Sequence, residues 1–141
     1  MKFFFTLFLF IFSGANSFEK KNSFELSVQI SPMKAIQGKL FLALHNTSDT
    51  FLEDEKDPFM SKVLPVTSKE LQTSWQVPAG NYAISVFHGV NNNGKLDTNF
   101  LGIPTEPYGF SNNPKGLFGP PSYEQAMMKI EKSDNTKILL D

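Results

Sequence analysis

The sequence predicts an all-β protein, an antiparallel β-sandwich of about seven strands with one long loop rich in glycine, proline and asparagine. Three observations lead there. Six or seven short stretches alternate apolar and polar residues, the period of a half-buried strand. Clusters of Asn, Asp, Gly and Pro separate most of them and supply turns. No stretch carries a long helical period, so two facing sheets are the arrangement that buries one side of each strand.

The chain opens with a segment that is not part of the sandwich. Met1-Lys2 brings one positive charge, and Phe3 to Phe12 is apolar except for Thr6. Ser13-Gly14-Ala15 follows with small residues. This is the order of a secretory signal peptide, residues 1–15, with cleavage expected after Ala15 or alternatively after Ser17. The apolar run is shorter than the roughly 20 residues that a helix needs to span a bilayer. The expected product is a single β-sandwich domain, residues 18–141, exported to the periplasm or the outside, with no transmembrane segment in the mature chain. A domain of this size can bury about two thirds of its unfolded surface, so packing alone can hold it without disulfides. There is no cysteine to form any.

Each strand has its own signal. Phe24 to Ile30 alternates and is stopped by Pro32. In Lys39 to His45, Leu40, Leu42 and Leu44 share one face while Phe41 and Ala43 share the other. Asn46 to Asp49 is a turn cluster, and Asn46-Thr47-Ser48 also matches the glycosylation tripeptide. Residues 53–62 are charged, contain Pro58 and read as a solvated connection. A short strand around Ser74 to Val77 carries the only tryptophan, Trp75. Pro78 to Asn81 is a turn. Tyr82 to His88 is the clearest strand, with Tyr82, Ile84, Val86 and His88 on one face. Gly89 to Pro121 reads as a long loop, of the kind that is often functional when ordered. Ser122 and Gln125 stand at capping-box spacing for one helical turn. Ala126 to Ile130 and Lys137 to Leu140 close the chain as strands.

Charge excludes one large class of partner. Every basic residue is lysine; without Lys2, 12 lysines face 14 acidic residues, a net charge of −2. With no basic stripe and no guanidinium to fork onto phosphates, nucleic acid is not an expected partner. An envelope protein or a small-molecule ligand is.

The stretch from His88 to Asp97 is the candidate for chemistry. Counted as a calcium loop from Gly89, it puts Asn91, Asn93, Lys95 (through its carbonyl) and Asp97 at ligand positions 3, 5, 7 and 9, with Gly94 at the turn position 6. The first position, Gly89, lacks a side chain, and Asp97 brings the sole carboxylate unless Glu106 or Asp49 folds over. Calcium here would bind weakly, at about the millimolar level of extracellular modules. The alternative is structural: Asn93-Gly94 favours a tight turn, pairing Tyr82–Val90 with Lys95–Leu101. Farther on, Glu106 and Tyr108 stand on a proline frame, either as a recognition surface or, with Phe110, as packing plugs over one end of the sandwich. His88 could act with Asp97 or Glu106 in acid–base chemistry or hold zinc, making a hydrolase or lyase the third reading. Its bland alternative is a hydrogen-bonded structural histidine. Thus His88, Glu106 and Tyr108 are the candidate binding residues, with no catalytic residue assigned.

Gly80-x-Tyr82-Ala83, His88, Asn91, Asn93-Gly94, Asp97, Gly102-x-Pro104-x-Glu106 and Gly109-Phe110-Ser111 together resemble a bacterial exported family of unknown function, numbered 2141. The resemblance spans nearly all of the mature chain and implies a transthyretin-like or immunoglobulin-like β-sandwich in the cell envelope. It implies no activity. The chain departs from the family pattern at Gly89, where that pattern has Asp.

Overall fold

In the computed structural model, the described residues are 22–91, 105–115 and 118–141. They form β1 (Ser23–Ser31), β2 (Lys39–His45), β3 (Met60–Pro65), β4 (Leu71–Pro78), β5 (Gly80–Gly89), β6 (Tyr108–Phe110), the single helical turn α1 (Tyr123–Ala126), β7 (Met128–Ile130) and β8 (Asp134–Leu139). One sheet has the order β4-β1-β8. The other runs β3-β2-β5-β6, with β7 also pairing on β5. This is the expected two-sheet β-sandwich, built from eight strands.

Alternation decides which side of each strand is buried. Leu26, Val28 and Ile30 of β1 meet Leu40, Leu42 and Leu44 of β2 and Tyr82, Ile84 and Val86 of β5 in one continuous core. Trp75 and Val77 of β4 and Ile138 of β8 complete it. Burying a side chain of this size contributes about 1.5–3 kcal/mol each. The capping box of α1 is present: the Ser122 hydroxyl accepts from Gln125 N, and the Gln125 side chain accepts from Ser122 N.

Four features differ from the sequence reading. First, β8 lies parallel to β1, with Ser27 beside Asn135 and Ile30 beside Ile138. The other pairings are antiparallel. A parallel pair needs a long crossover, and here the whole second sheet intervenes.

Second, the charged segment 53–62 is not all loop, because β3 begins at Met60. Met60 and Leu64 pack against the core. Lys62, between them, hides the alternation in the sequence. Its ammonium escapes burial by donating to Thr73 Oγ1 at 2.9 Å and to the Ser74 carbonyl, and it lies 5.4 Å from the centre of the Trp75 ring. A lysine can thus line an apolar face with its stem while its charge stays solvated or bonded.

Third, the Gly89–Pro121 stretch contains a strand, β6, too short to show a period. Fourth, both edges of β5 are taken over Ser85–Phe87, where the sequence reading set a hairpin with 95–101. One edge of β5 is taken by β2. The other is taken by β6 at Ser85–Phe87 and by β7 at Gly80–Tyr82. Residues 95–101 themselves lie outside the described residues.

Candidate functional site

The end of β5 is where the candidate residues gather. His88 pairs with Leu40 of β2, and its ring points to the core face with 0% exposure. Its Nε2 lies 2.7 Å from the Gln37 carbonyl oxygen. A carbonyl can only accept, so Nε2 carries the proton and a neutral ring leaves Nδ1 as a bare lone pair. That Nδ1 is buried and has no hydrogen-bond partner among the described residues. The His88 backbone N–H donates to the Pro107 carbonyl at 2.8 Å. Two residues on, Val90 N–H donates to Glu106 Oε2 at 2.7 Å. Glu106 is itself 8% exposed. A buried carboxylate is stabilised by such charge-assisted bonds to backbone N–H groups, which are roughly twice as strong as neutral ones. Residues 88–90 and 106–107 are thereby fastened side by side, forming a neck from which the segment between them leaves and returns.

The neck is tight. Gly38 has φ +71, which favours glycine, and a side-chain carbon there would lie 2.2 Å from the Gly89 carbonyl oxygen. Gly89 is also confined, though less, since a Cβ there would meet Phe41 Cε2 at 2.7 Å. Phe41 stacks on Phe87 across the strands, with ring centroids 4.8 Å apart and planes 12° from parallel. An apolar stack thus fills the space in which any side chain at position 89 would begin.

The outer face of the same sheet carries a second cluster at its opposite end. His45, paired with Ala83, is 4% exposed. Its Nδ1 lies 3.2 Å from Thr50 Oγ1 and its Nε2 lies 3.4 Å from Ser85 Oγ. Phe51 meets the His45 ring edge-on, and Phe110 and Tyr123 pack on Phe51. Burial holds the His45 pKa below its ordinary value, because the cation is poorly solvated there. Between the Phe41–Phe87 stack and this cluster the sheet has a shallow concavity of about 230 Å³, lined among others by Ala43, Ser61, Val63 and Ser85.

The structure brings His88 and Glu106 to one end of the sandwich and adds Asn91, which directly follows the Val90 anchor. Tyr108 sits on β6 rather than on a loop. It pairs with Phe87, and its ring packs edge-on against Phe110. Asn93, Lys95 and Asp97 lie outside the described residues. Asp49 belongs to the opposite end of the sheet, beyond His45, and does not approach the neck. Among the described residues, no group of three His, Asp or Glu side chains is arranged to hold a metal ion.

Sequence reasoning missed the residues that lock this region. Ser111 is wholly buried in the gap between β6 and β7. Its N–H donates to the Ile84 carbonyl, its Oγ accepts from Ile84 N at 2.9 Å, and its hydroxyl proton goes to the Ala126 carbonyl. Asn112 and Asn113 adopt left-handed backbone angles, φ 66 and 46, which asparagine tolerates. Asn113 Nδ2 donates to the Lys137 carbonyl and its Oδ1 accepts from Leu139 N, so one side chain serves as a strand partner for β8. Asn112 Nδ2 donates to the Met127 carbonyl at 2.7 Å. The available signal was the Ser-Asn-Asn run itself, whose short polar side chains bond backbone readily.

These features define a β-sandwich module in which residues 88–90 and 106–107 are clamped side by side by a buried carboxylate. The chain belongs to the family described as an uncharacterized protein conserved in bacteria, DUF2141, whose model matches residues 28–138. No curated protein and no solved structure matches the chain significantly.

Proposed function

We propose that this is an exported binding module of the bacterial cell envelope, with the segment between Val90 and Glu106 as its recognition element. The observation that carries the reading is the 2.7 Å bond from Val90 N to the buried Glu106 carboxylate, beside the His88–Pro107 backbone bond. Burying a carboxylate is costly unless it is bonded, so a fold that keeps one at this point fixes where the excursion begins and ends. Loops held on a rigid scaffold are where binding residues concentrate. Export rests on the leader-like segment 1–15, and the transthyretin-like or immunoglobulin-like character on the resemblance drawn from the motifs. No helix of the described residues is long and apolar enough to cross a membrane.

The test has two arms. The full chain is expressed in a diderm host, the compartments are fractionated and the N-terminus is sequenced; a periplasmic product beginning after Ala15 or Ser17 is expected. Crosslinking in that envelope with Glu106→Gln as comparison should then show a partner or ligand lost in the variant. A cytoplasmic, unprocessed chain would overturn export. Identical crosslinks in both forms would overturn the role of the neck.

A second reading is a calcium-stabilised module. It is favoured by Glu106, which brings a carboxylate to the first residues of the asparagine-rich stretch, where the sequence count had Asp97 as the sole carboxylate. A ligand specific to the native state raises stability. Millimolar calcium should therefore raise the melting temperature relative to chelator; no change removes this reading.

A further inference from the structure

The outer face of the three-stranded sheet holds a feature that neither the motifs nor the neck accounts for. Strand register stacks its outward side chains in three rows. Ser74, Ser27 and Asn135 form the middle row. Gln72, Gln29 and Lys137 form the row on one side, and Gln76 and Glu25 lie on the other. Short side chains on β4 and β1 flanked by long ones leave a trough running across the strands, about 540 Å³ in volume. Its volume falls within the roughly 300–1,000 Å³ range of ligand sites.

The lining selects the ligand class. Glu25 and Lys137 are of opposite sign, so the trough offers no net charge to a phosphate or a polyanion. Protein partners dock on buried aromatic or arginine anchors, and the trough has neither. What it has is hydroxyls and carboxamides. Each carboxamide both donates and accepts, the pairing that a sugar hydroxyl requires. Among the described residues, the side chains of Gln29, Gln72 and Asn135 make no hydrogen bond, so engaging a ligand breaks none there. Adjacent strands are about 4.8 Å apart, close to the advance per sugar of an extended glycan. A linear sugar chain laid along the trough would therefore present successive rings to β4, β1 and β8.

We propose that this trough binds a neutral, extended, β-linked oligosaccharide of about three rings, one per strand. The site is separate from the neck and stands or falls independently of it. Binding is weak, in the millimolar range, because an open polar trough removes little apolar area from water. The test is a chemical-shift titration of the isotope-labelled full chain, as recovered from cells, with cellotetraose, chitotetraose and the coiled α-linked maltotetraose. Saturable shifts at Gln29, Gln72 and Asn135 are expected with at least one β-linked sugar and not with maltotetraose. Ser27→Leu, which fills the trough floor, should weaken binding by at least an order of magnitude. Gln72→Leu, on the exposed edge strand, should weaken it severalfold and provides a check should the first variant misfold. No saturable shift on this face with either β-linked sugar, equal response to maltotetraose, or binding unchanged in Gln72→Leu would overturn the proposal.

Discussion

The five-stranded sheet carries a buried histidine at each end, on opposite faces, and the two are solved differently. His88 looks into the main core, donates from Nε2 to the Gln37 carbonyl and leaves its buried Nδ1 without a partner among the described residues. His45 looks outward, is roofed by Phe51, and has a hydroxyl within reach of each ring nitrogen. The lesson lies in strand parity. On β5 the core-facing positions are even-numbered, so His88 replaces a core apolar residue. On β2 they are also even-numbered, so His45 falls on the outer face and is buried only because the segment around Phe51 folds over it. One end is closed by backbone approach, the other by an aromatic roof.

That contrast is broken most severely at the backbone end. Gly38→Ala should destabilise the protein by roughly 3 kcal/mol or more, because it combines a left-handed backbone angle with direct overlap on the Gly89 carbonyl. Denaturant unfolding would measure it. A loss under about 1 kcal/mol would mean that the neck relaxes and is not rigid.

At the roofed end the corresponding fixed point is Ser111. Ser111→Ala leaves Ile84 N without its acceptor and the Ala126 carbonyl without a donor, both in a buried gap. A loss of about 2 kcal/mol is expected, read by chemical denaturation. Amide exchange should quicken at Ile84 ahead of the core strands. Uniform exchange across β5 would show that Ser111 is incidental.

How much of this was legible follows from the same parity. β1, β2 and β5 announce themselves because every second residue is apolar over five or more positions. β3 does not, because Lys62 occupies a core-facing place. β6 does not, because three residues carry no period. The parallel pairing of β1 with β8 is set by tertiary packing and leaves no local mark. Of the site, His88, Glu106 and Tyr108 were visible as unusual residues in an unusual stretch. Parity already set His88 on one face with Tyr82, Ile84 and Val86, but only the register of β6 turns Tyr108 into a strand residue. The Ser111-Asn112-Asn113 lock was hidden because its bonds run to β5, β7 and β8, all distant in sequence.

The Phe41–Phe87 stack sharpens the comparison by coupling two positions. Gly89→Asp alone should cost about 1–3 kcal/mol through overlap with the Phe41 ring. In a Phe41→Ala background the same change should cost less, and the difference, about 1 kcal/mol, is the coupling between them. Additive losses in the double-mutant cycle would mean that Asp is rejected by something other than Phe41.

The smallest effect should come from acid. Burial lowers the folded-state pKa of His45 from the ordinary 6.5. The unfolded chain therefore takes up its proton first as pH falls, and between the two pKa values unfolding binds a proton. The contribution is complete above pH 6.5, declines as pH drops from there toward the folded-state value, and then levels off. His45→Gln keeps a polar side chain beside Thr50 and Ser85 but cannot titrate. It should flatten the stability profile below pH 6.5 while leaving the profile above that pH parallel to that of the parent. If the acid slope persists in His45→Gln, the proton is taken up at another group, and the burial of His45 under Phe51 is not the source of the acid sensitivity.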